Sequence, residues 1–276
     1  MSIASQITRL QSAKAAIKAA LEAKGLTVSS SLSISDYAPL IAKLGNYVPP
    51  SFGGLEISSG PLYYGSNGYE IKDSWDCDSY NSVYGKVNGS TYFIYSELGE
   101  LFEKSGFNSG EDGDIENLLD PLDGWRLPTK NEWEMILTTD SSIREGSTVN
   151  GSTNKHFALV QLTDSTYSYS STPYGLLIFP DGLTITGKAL SGMDNNTMTS
   201  GITEAELNTY LTAGCVFLPA SGYYYSSWTE IDGSSTLYWS STHWYYCEFN
   251  DSDIRPSYAD DEDQTYYKAR LVRSVQ

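Results

Sequence analysis

The sequence predicts an α+β fold, a mainly antiparallel sheet with two helices, preceded by a short helical N-terminal module. Three observations carry this. From Leu55 onward the chain breaks into short β-prone runs separated by Gly, Asn, Asp and Ser, such as 90–95 (STYFIY) and 176–179 (LLIF). Two Thr-x-x-Glu capping boxes open the only segments there that read as helices. No βαβ alternation appears, which argues against a doubly wound or barrel architecture.

The elements follow in order. Residues 3–24 are rich in Ala, Leu, Lys and Glu, with no Gly or Pro before Gly25, and read as a helix. Ile7, Leu10, Ile17 and Leu21 form an apolar seam in which Lys14 takes one place. So short a helix is marginal alone in water, so the seam must pack on something. The next segment of the same chain and a bundle between chains, a homotrimer or dimer, both remain open. Asp36 to Leu44 reads as a second helix, capped by Ser35 and stopped by Gly45. Residues 46–54 (NYVPPSFGG) read as a linker, because paired prolines cannot continue a helix. The expected domains are thus 1–45, the linker 46–54, and 55–276.

In the large domain, Thr129 and Glu132 cap a helix through Leu137. Thr203 and Glu206 cap a second, which stops at Gly214. Strands follow at 215–218, 236–241, 245–249 and 268–273. Alternation places Leu237, Trp239 and Ser241 on one face, and Cys247 with Phe249 on another. In the last strand Ala269 and Leu271 are expected inward, Lys268 and Arg270 outward.

Composition excludes several functions. The 276 residues carry 17 Lys and Arg against 34 Asp and Glu, a net charge of −17. Residues 1–45 hold five bases and two acids, so the acidity belongs to the remainder. No basic patch is available for nucleic acid or anionic lipid. There is no apolar run long enough for a membrane span, and the first residues lack a signal-peptide pattern. Three separated cysteines and two histidines give no disulfide framework and no zinc site.

Nine of the 22 tyrosines fall between Tyr223 and Tyr267. There they mix with Trp, Ser and Asp in the manner of an antibody combining surface, where rigid aromatic area meets adaptable polar groups. Half-buried sheet tyrosines are the alternative. The acidic runs 260–263 and 111–114 offer oxygen ligands for calcium without matching a spaced calcium loop, so no cofactor is expected, with calcium as the alternative.

Residues 124–133 (GWRLPTKNEW), followed by 218–222 (LPASG), 238–241 (YWSS) and 269–273 (ARLVR), resemble a known series. They are similar to proteins with the C-type lectin fold of the formylglycine-generating-enzyme-like branch. More closely they resemble the variable proteins of diversity-generating retroelements from gut Bacteroides and their phages. Residues 54–57 and 116–123 look like that group, and 15–25 with 37–41 are similar to the start of phage tail and fibre proteins.

The resemblance implies a receptor-binding protein, not an enzyme, with a variable region at about 217–276. Its partners would be a bacterial surface protein or glycan, and a phage virion or cell-surface assembly reached through the N-terminal helices. Adenine-directed mutagenesis turns AAY codons into NNY, which never encode Trp, Met, Lys, Gln or Glu. The NNY-permitted ligand-binding positions are Tyr223, Tyr224, Tyr225, His243, Tyr245, Tyr246, Asp251, Asp253, Arg255, Tyr258, Asp260, Asp261 and Tyr266. Trp228, Trp239, Trp244, Glu248, Glu262 and Gln264 would be fixed, and Trp125, Arg126, Leu127, Pro128 and Trp133 would build the scaffold. An invariant calcium-dependent carbohydrate-binding lectin is the second reading. A formylglycine-generating-like oxidase is the third, and it requires an accessible cysteine of low pKa.

Overall fold

The computed structural model describes residues 49–72, 90–103, 114–116, 119–164, 174–220, 222–225, 228–230, 235–259 and 265–275, with scattered positions elsewhere. The chain divides into two compact units, residues 1–49 and 50–276. In the first, the described positions between Gln11 and Leu21 are helical. Leu21 and Val28 are buried there, while Ile17 is exposed. Ile7, Leu10 and the helix expected at 36–44 lie outside the described residues.

The second unit begins earlier than the sequence suggests. Phe52, expected in a linker, is 1% exposed and belongs to the core, because Arg144 covers its ring at 5.3 Å and Asp181 fixes the backbone beside it.

In chain order the unit runs β1 (Leu55–Ile57), β2 (Leu62–Gly65), β3 (Gly68–Ile71), β4 (Tyr92–Phe93), α1 (Tyr95–Phe102), α2 (Lys130–Ile136), β5 (Ser147–Val149), β6 (Ser152–Lys155), β7 (Phe157–Leu162), β8 (Tyr174–Ile178), β9 (Thr184–Ile185), β10 (Thr199–Ile202), α3 (Glu204–Thr212), β11 (Val216–Pro219), β12 (Tyr223–Tyr225), β13 (Trp228–Glu230), β14 (Ser235–Trp239), β15 (Tyr245–Asn250), β16 (Ile254–Ala259), β17 (Thr265–Lys268) and β18 (Val272–Ser274). This is a mixed α+β fold, mostly sheet with few helices.

The main sheet has the order β13-β12-β17-β14-β15-β16, with β4 on β17. A second sheet has the order β10-β7-β8-β11. Most pairings are antiparallel; β14–β17, β7–β10 and β5–β9 are parallel. Strands β1 and β18 pair from Leu55–Ser274 to Ile57–Val272, which joins the two ends of the unit.

Two sheets separate three cores. Strand β11 sends Val216 and Leu218 into the first core and Phe217 into a third. Strand β8 divides likewise, with Leu176 and Ile178 on one side and Leu177 on the other. Strand β14 sends Tyr238 into the first core, and Leu237 and Trp239 into a second. Sheets covered on both faces need continuous apolar runs rather than alternation. That is why 215–218 and 176–179 read as unbroken.

The two capping boxes form as expected. Thr129 Oγ1 accepts from the Glu132 N–H at 3.2 Å, and Glu132 accepts from the Thr129 N–H at 2.8 Å. Thr203 and Glu206 repeat the exchange at 3.2 and 2.9 Å. Helix α3 ends at Gly214, whose φ of +98° closes the last turn. Helix α1 was not foreseen. The strand expected over 90–95 stops at Phe93, because Glu97 reaches back to the Ile94 N–H at 3.2 Å and opens a helix.

Lys268 and Arg270, expected outward, are both 0% exposed. Lys268 ends β17 and Arg270 follows it, and both turn into the interior, where the chain supplies their partners. Lys268 Nζ donates to Thr91 Oγ1 at 2.7 Å and sits 3.9 Å over the Tyr92 ring. Arg270 donates to the Ser58 and Phe217 carbonyls, each at 3.3 Å.

Arg144 is a third buried cation. Its Nε meets Asp181 Oδ1 at 2.7 Å, and its remaining nitrogens donate to the Ile136 and Phe179 carbonyls. Asp181 Oδ2 in turn accepts from Ser51 Oγ at 2.9 Å and the Gly53 N–H at 2.7 Å. One ion pair therefore ties together the end of α2, the chain after β8 and the start of the unit. Removing one member of a buried pair leaves an uncompensated charge, at a cost of about 3–5 kcal/mol. Asp181→Ala is expected to lower stability by that amount in urea denaturation. The double variant Arg144→Met, Asp181→Ala is expected to lose less than the sum of the two single changes.

Candidate ligand-binding face

The tyrosine-rich stretch forms a ladder of rings across the main sheet, one from each of five adjacent strands. Tyr223 of β12 meets Tyr267 of β17 at 6.1 Å between centroids. Tyr267 meets Trp239 of β14 at 4.4 Å. Trp239 meets Tyr246 of β15 at 6.3 Å, and Tyr246 meets Tyr258 of β16 at 5.5 Å. The middle rings are buried: Trp239, Tyr246 and Tyr267 are 3%, 2% and 2% exposed. The ends emerge, with Tyr223 half-buried and Tyr258 36% exposed on the edge strand.

Two expected surface positions are corrected by this arrangement. Tyr246 is a core ring, because it lies directly opposite Trp239 in the β14–β15 pairing and so faces the second core with it. His243 is 6% exposed, wedged between Tyr95 at 5.2 Å and Trp244 at 4.4 Å. The other expected positions divide. Tyr245 is half-buried under Lys130, whose Nζ lies 4.1 Å over its ring. Asp251 is exposed, Asp253 half-buried and Tyr266 half-buried. Tyr224 pairs with Tyr266, and Tyr225 with Thr265, across β12 and β17. Asp260 and Asp261 lie outside the described residues.

Arg255 and Tyr258 project from β16 beside a carboxylate pair. Arg255 meets Asp253 at 2.6 Å and Glu248 at 3.3 Å, and its guanidinium lies 5.0 Å over the Tyr258 ring. These carboxylates hold the Arg255 guanidinium above its ordinary pKa, the Asp253 hydrogen bond first. Asn196 Nδ2 donates to Asp253 at 3.0 Å. Neither Asn196 nor Lys130 was singled out from the sequence; their contacts come from distant segments with no local signature.

Residues 124–133 brace this face from behind. The Arg126 guanidinium grips both Glu132 oxygens, and its backbone pairs with Val272 in both directions at 2.9 Å. Burial raises the Glu132 carboxyl, but Arg126 and the Thr129 N–H outweigh it and hold it below the usual carboxylate range. Trp125 is half-buried beneath the Arg273 guanidinium at 4.5 Å, while Leu127 and Trp133 are fully buried. Pro128 is buried, and its carbonyl accepts from the Ser241 N–H at 2.8 Å. The Lys130 N–H donates to Thr242 Oγ1 at 3.1 Å. Trp133 Nε1 donates to the Trp239 carbonyl at 3.3 Å, and Trp239 Nε1 to the Phe93 carbonyl at 2.7 Å. The loop between β14 and β15 is thereby fixed. It turns through Trp244 at φ +67°, a conformation bulky side chains rarely adopt.

Cys215 and Cys247 are buried, and burial pushes both thiols well up. Neither supplies the accessible thiol that the oxidase reading requires, and Cys77 lies outside the described residues. Among the described residues no three His, Cys, Asp or Glu side chains converge as a metal site. The runs 111–113 and 260–263 lie outside them. No helix of the described residues is long and apolar enough to cross a membrane.

No family model matches the chain, and no curated protein or solved structure is detectably similar to it.

The ladder predicts opposite outcomes at neighbouring rungs. Tyr246→Ala is expected to destabilise the protein by about 3–5 kcal/mol, as for a buried aromatic truncated in a core. Tyr258→Ala is expected to cost less than about 1 kcal/mol. Urea denaturation of the two variants measures the difference.

Proposed function

We propose that residues 50–276 form a C-type-lectin-like binding domain, and that the chain is a receptor-binding protein whose C-terminal face is diversified by a retroelement. The observation that carries this is the partition of the tyrosine-rich stretch. Its central rings and the bracing residues Leu127, Pro128 and Trp133 are buried, whereas Asp251, Arg255 and Tyr258 are exposed and Asp253 half-buried on the edge hairpin. A rigid frame with replaceable side chains is what variable recognition needs, since the frame must survive every substitution.

Recognition at this face is non-covalent. Tyr258 offers a ring already held in place by Tyr246, so little side-chain freedom is lost on binding. The N-terminal helices attach the binding unit to a phage tail or a bacterial surface, or trimerise it. Several copies then convert weak single contacts into avidity. The ligand is a bacterial surface protein or glycan.

Sequencing of the gene and its flanks across a host or phage population tests this reading. Substitutions are expected at the codons for Asp251, Asp253, Arg255, Tyr258 and Tyr245, traceable to adenines in a nearby repeat. Trp239 and residues 124–133 are expected to be invariant. Tyr246 and His243, although NNY-permitted, are expected to vary little or only to other aromatic residues. Equal invariance across the whole gene would overturn the diversification.

A further inference from the structure

We infer that the outer face of the β15–β16 edge hairpin docks a basic segment of a partner protein, with Lys or Arg side chains laid along β16. The inference rests on the binding-face reading above and adds the chemistry of the partner. Three observations support it.

The first is the way the face already treats a cation. The Arg255 guanidinium sits over the Tyr258 ring at 5.0 Å with carboxylates on either side. On the other side of the hairpin Lys130 caps Tyr245 at 4.1 Å. Tyrosine faces attract cations through the ring quadrupole, and at Tyr258 the neighbouring carboxylates add Coulomb attraction. The chain covers both rings with its own cations.

The second is charge complementarity. Between Tyr223 and Tyr267 the sequence has nine Asp and Glu residues against Arg255 as the sole Lys or Arg. Arg255 is engaged by both Asp253 and Glu248, so it offers no anion site. Asp251 is exposed next to them. An anionic partner would meet repulsion here and a basic one attraction.

The third is shape. Strand β16 is the sheet edge, and Pro256 within it removes a backbone donor. A partner therefore reads this edge by side chains more than by strand addition. Side chains of an extended segment repeat every ~6.8 Å on one face, so successive ones can lie along the strand. Glu248 is excluded from NNY codons, so part of the negative charge would persist while neighbouring positions change.

The test uses the full chain and a fluorescein-labelled peptide of alternating Lys and Gly, with a Glu and Gly peptide as its counterpart. At about 20 mM salt the Lys peptide is expected to bind and the Glu peptide not to; at about 500 mM salt binding is expected to vanish. Tyr258→Ala, and separately the pair Asp251→Asn with Asp253→Asn, are each expected to weaken binding about threefold or more. The pair Asp164→Asn with Glu204→Gln removes the same charge away from the hairpin and is expected to leave binding unchanged. The inference is overturned by no binding of the Lys peptide, by preference for the Glu peptide or by equal weakening in the control pair. Any of these, with population variation still concentrated at the hairpin codons, removes the basic partner and leaves the diversified face standing. Loss of that variation, with Lys-peptide binding intact and sensitive to Tyr258, does the reverse.

Discussion

Burial of both faces of β14 is the constraint on which the large unit depends. Tyr238 points into one core and Trp239 into another, so the strand has no solvent side on which to absorb a change. Trp239 also carries two hydrogen bonds across the layers, accepting from Trp133 at its carbonyl and donating to the Phe93 carbonyl through its indole. A buried indole N–H without a partner is costly, so the bond to Phe93 fixes how the chain leaves β4 and enters α1. From that fixed strand, β15 and β16 extend to the edge, and exposure rises with each step outward.

Packing into several cores has a polar consequence. Cations buried among them must be satisfied by the chain itself. Lys268, Arg270 and Arg144 find hydroxyl, carbonyl, carboxylate and ring-face partners rather than water. The Arg144–Asp181 pair is the most connected of these, because its hydrogen bonds hold Ser51 and Gly53 against the core. Buried ion pairs add little net stability against an apolar replacement, but they specify which segments meet.

The legible parts of the sequence were the local ones. Both capping boxes, at Thr129 and Thr203, state their chemistry within four residues, and both form. The apolar runs at 176–179 and 215–218 announced strands, and the structure covers both of their faces. Lys268 and Arg270 misled, because alternation along a strand says nothing about whether a second layer covers its polar face. Tyr246 and His243 were expected at the surface from codon class alone, which says nothing about burial. Helix α1 was hidden because Tyr92, Phe93 and Tyr95 suit a strand, and its start depends on Glu97 reaching back. Of the candidate face, residue types were readable, but not which rings stack inward; that depends on strand order and register. The contacts of Lys130 and Asn196 join distant segments and leave no local trace.

The central claim is that the tyrosine-rich stretch is a ladder whose middle is buried and whose edge is open. Nitration of the folded protein with tetranitromethane, read by peptide mass spectrometry, tests it most directly. Tyr258 is expected to react in the native state, while Tyr238, Tyr246 and Tyr267 react only when the protein is unfolded. Modification of Tyr246 and Tyr267 at the rate of Tyr258 in the native state would contradict the account.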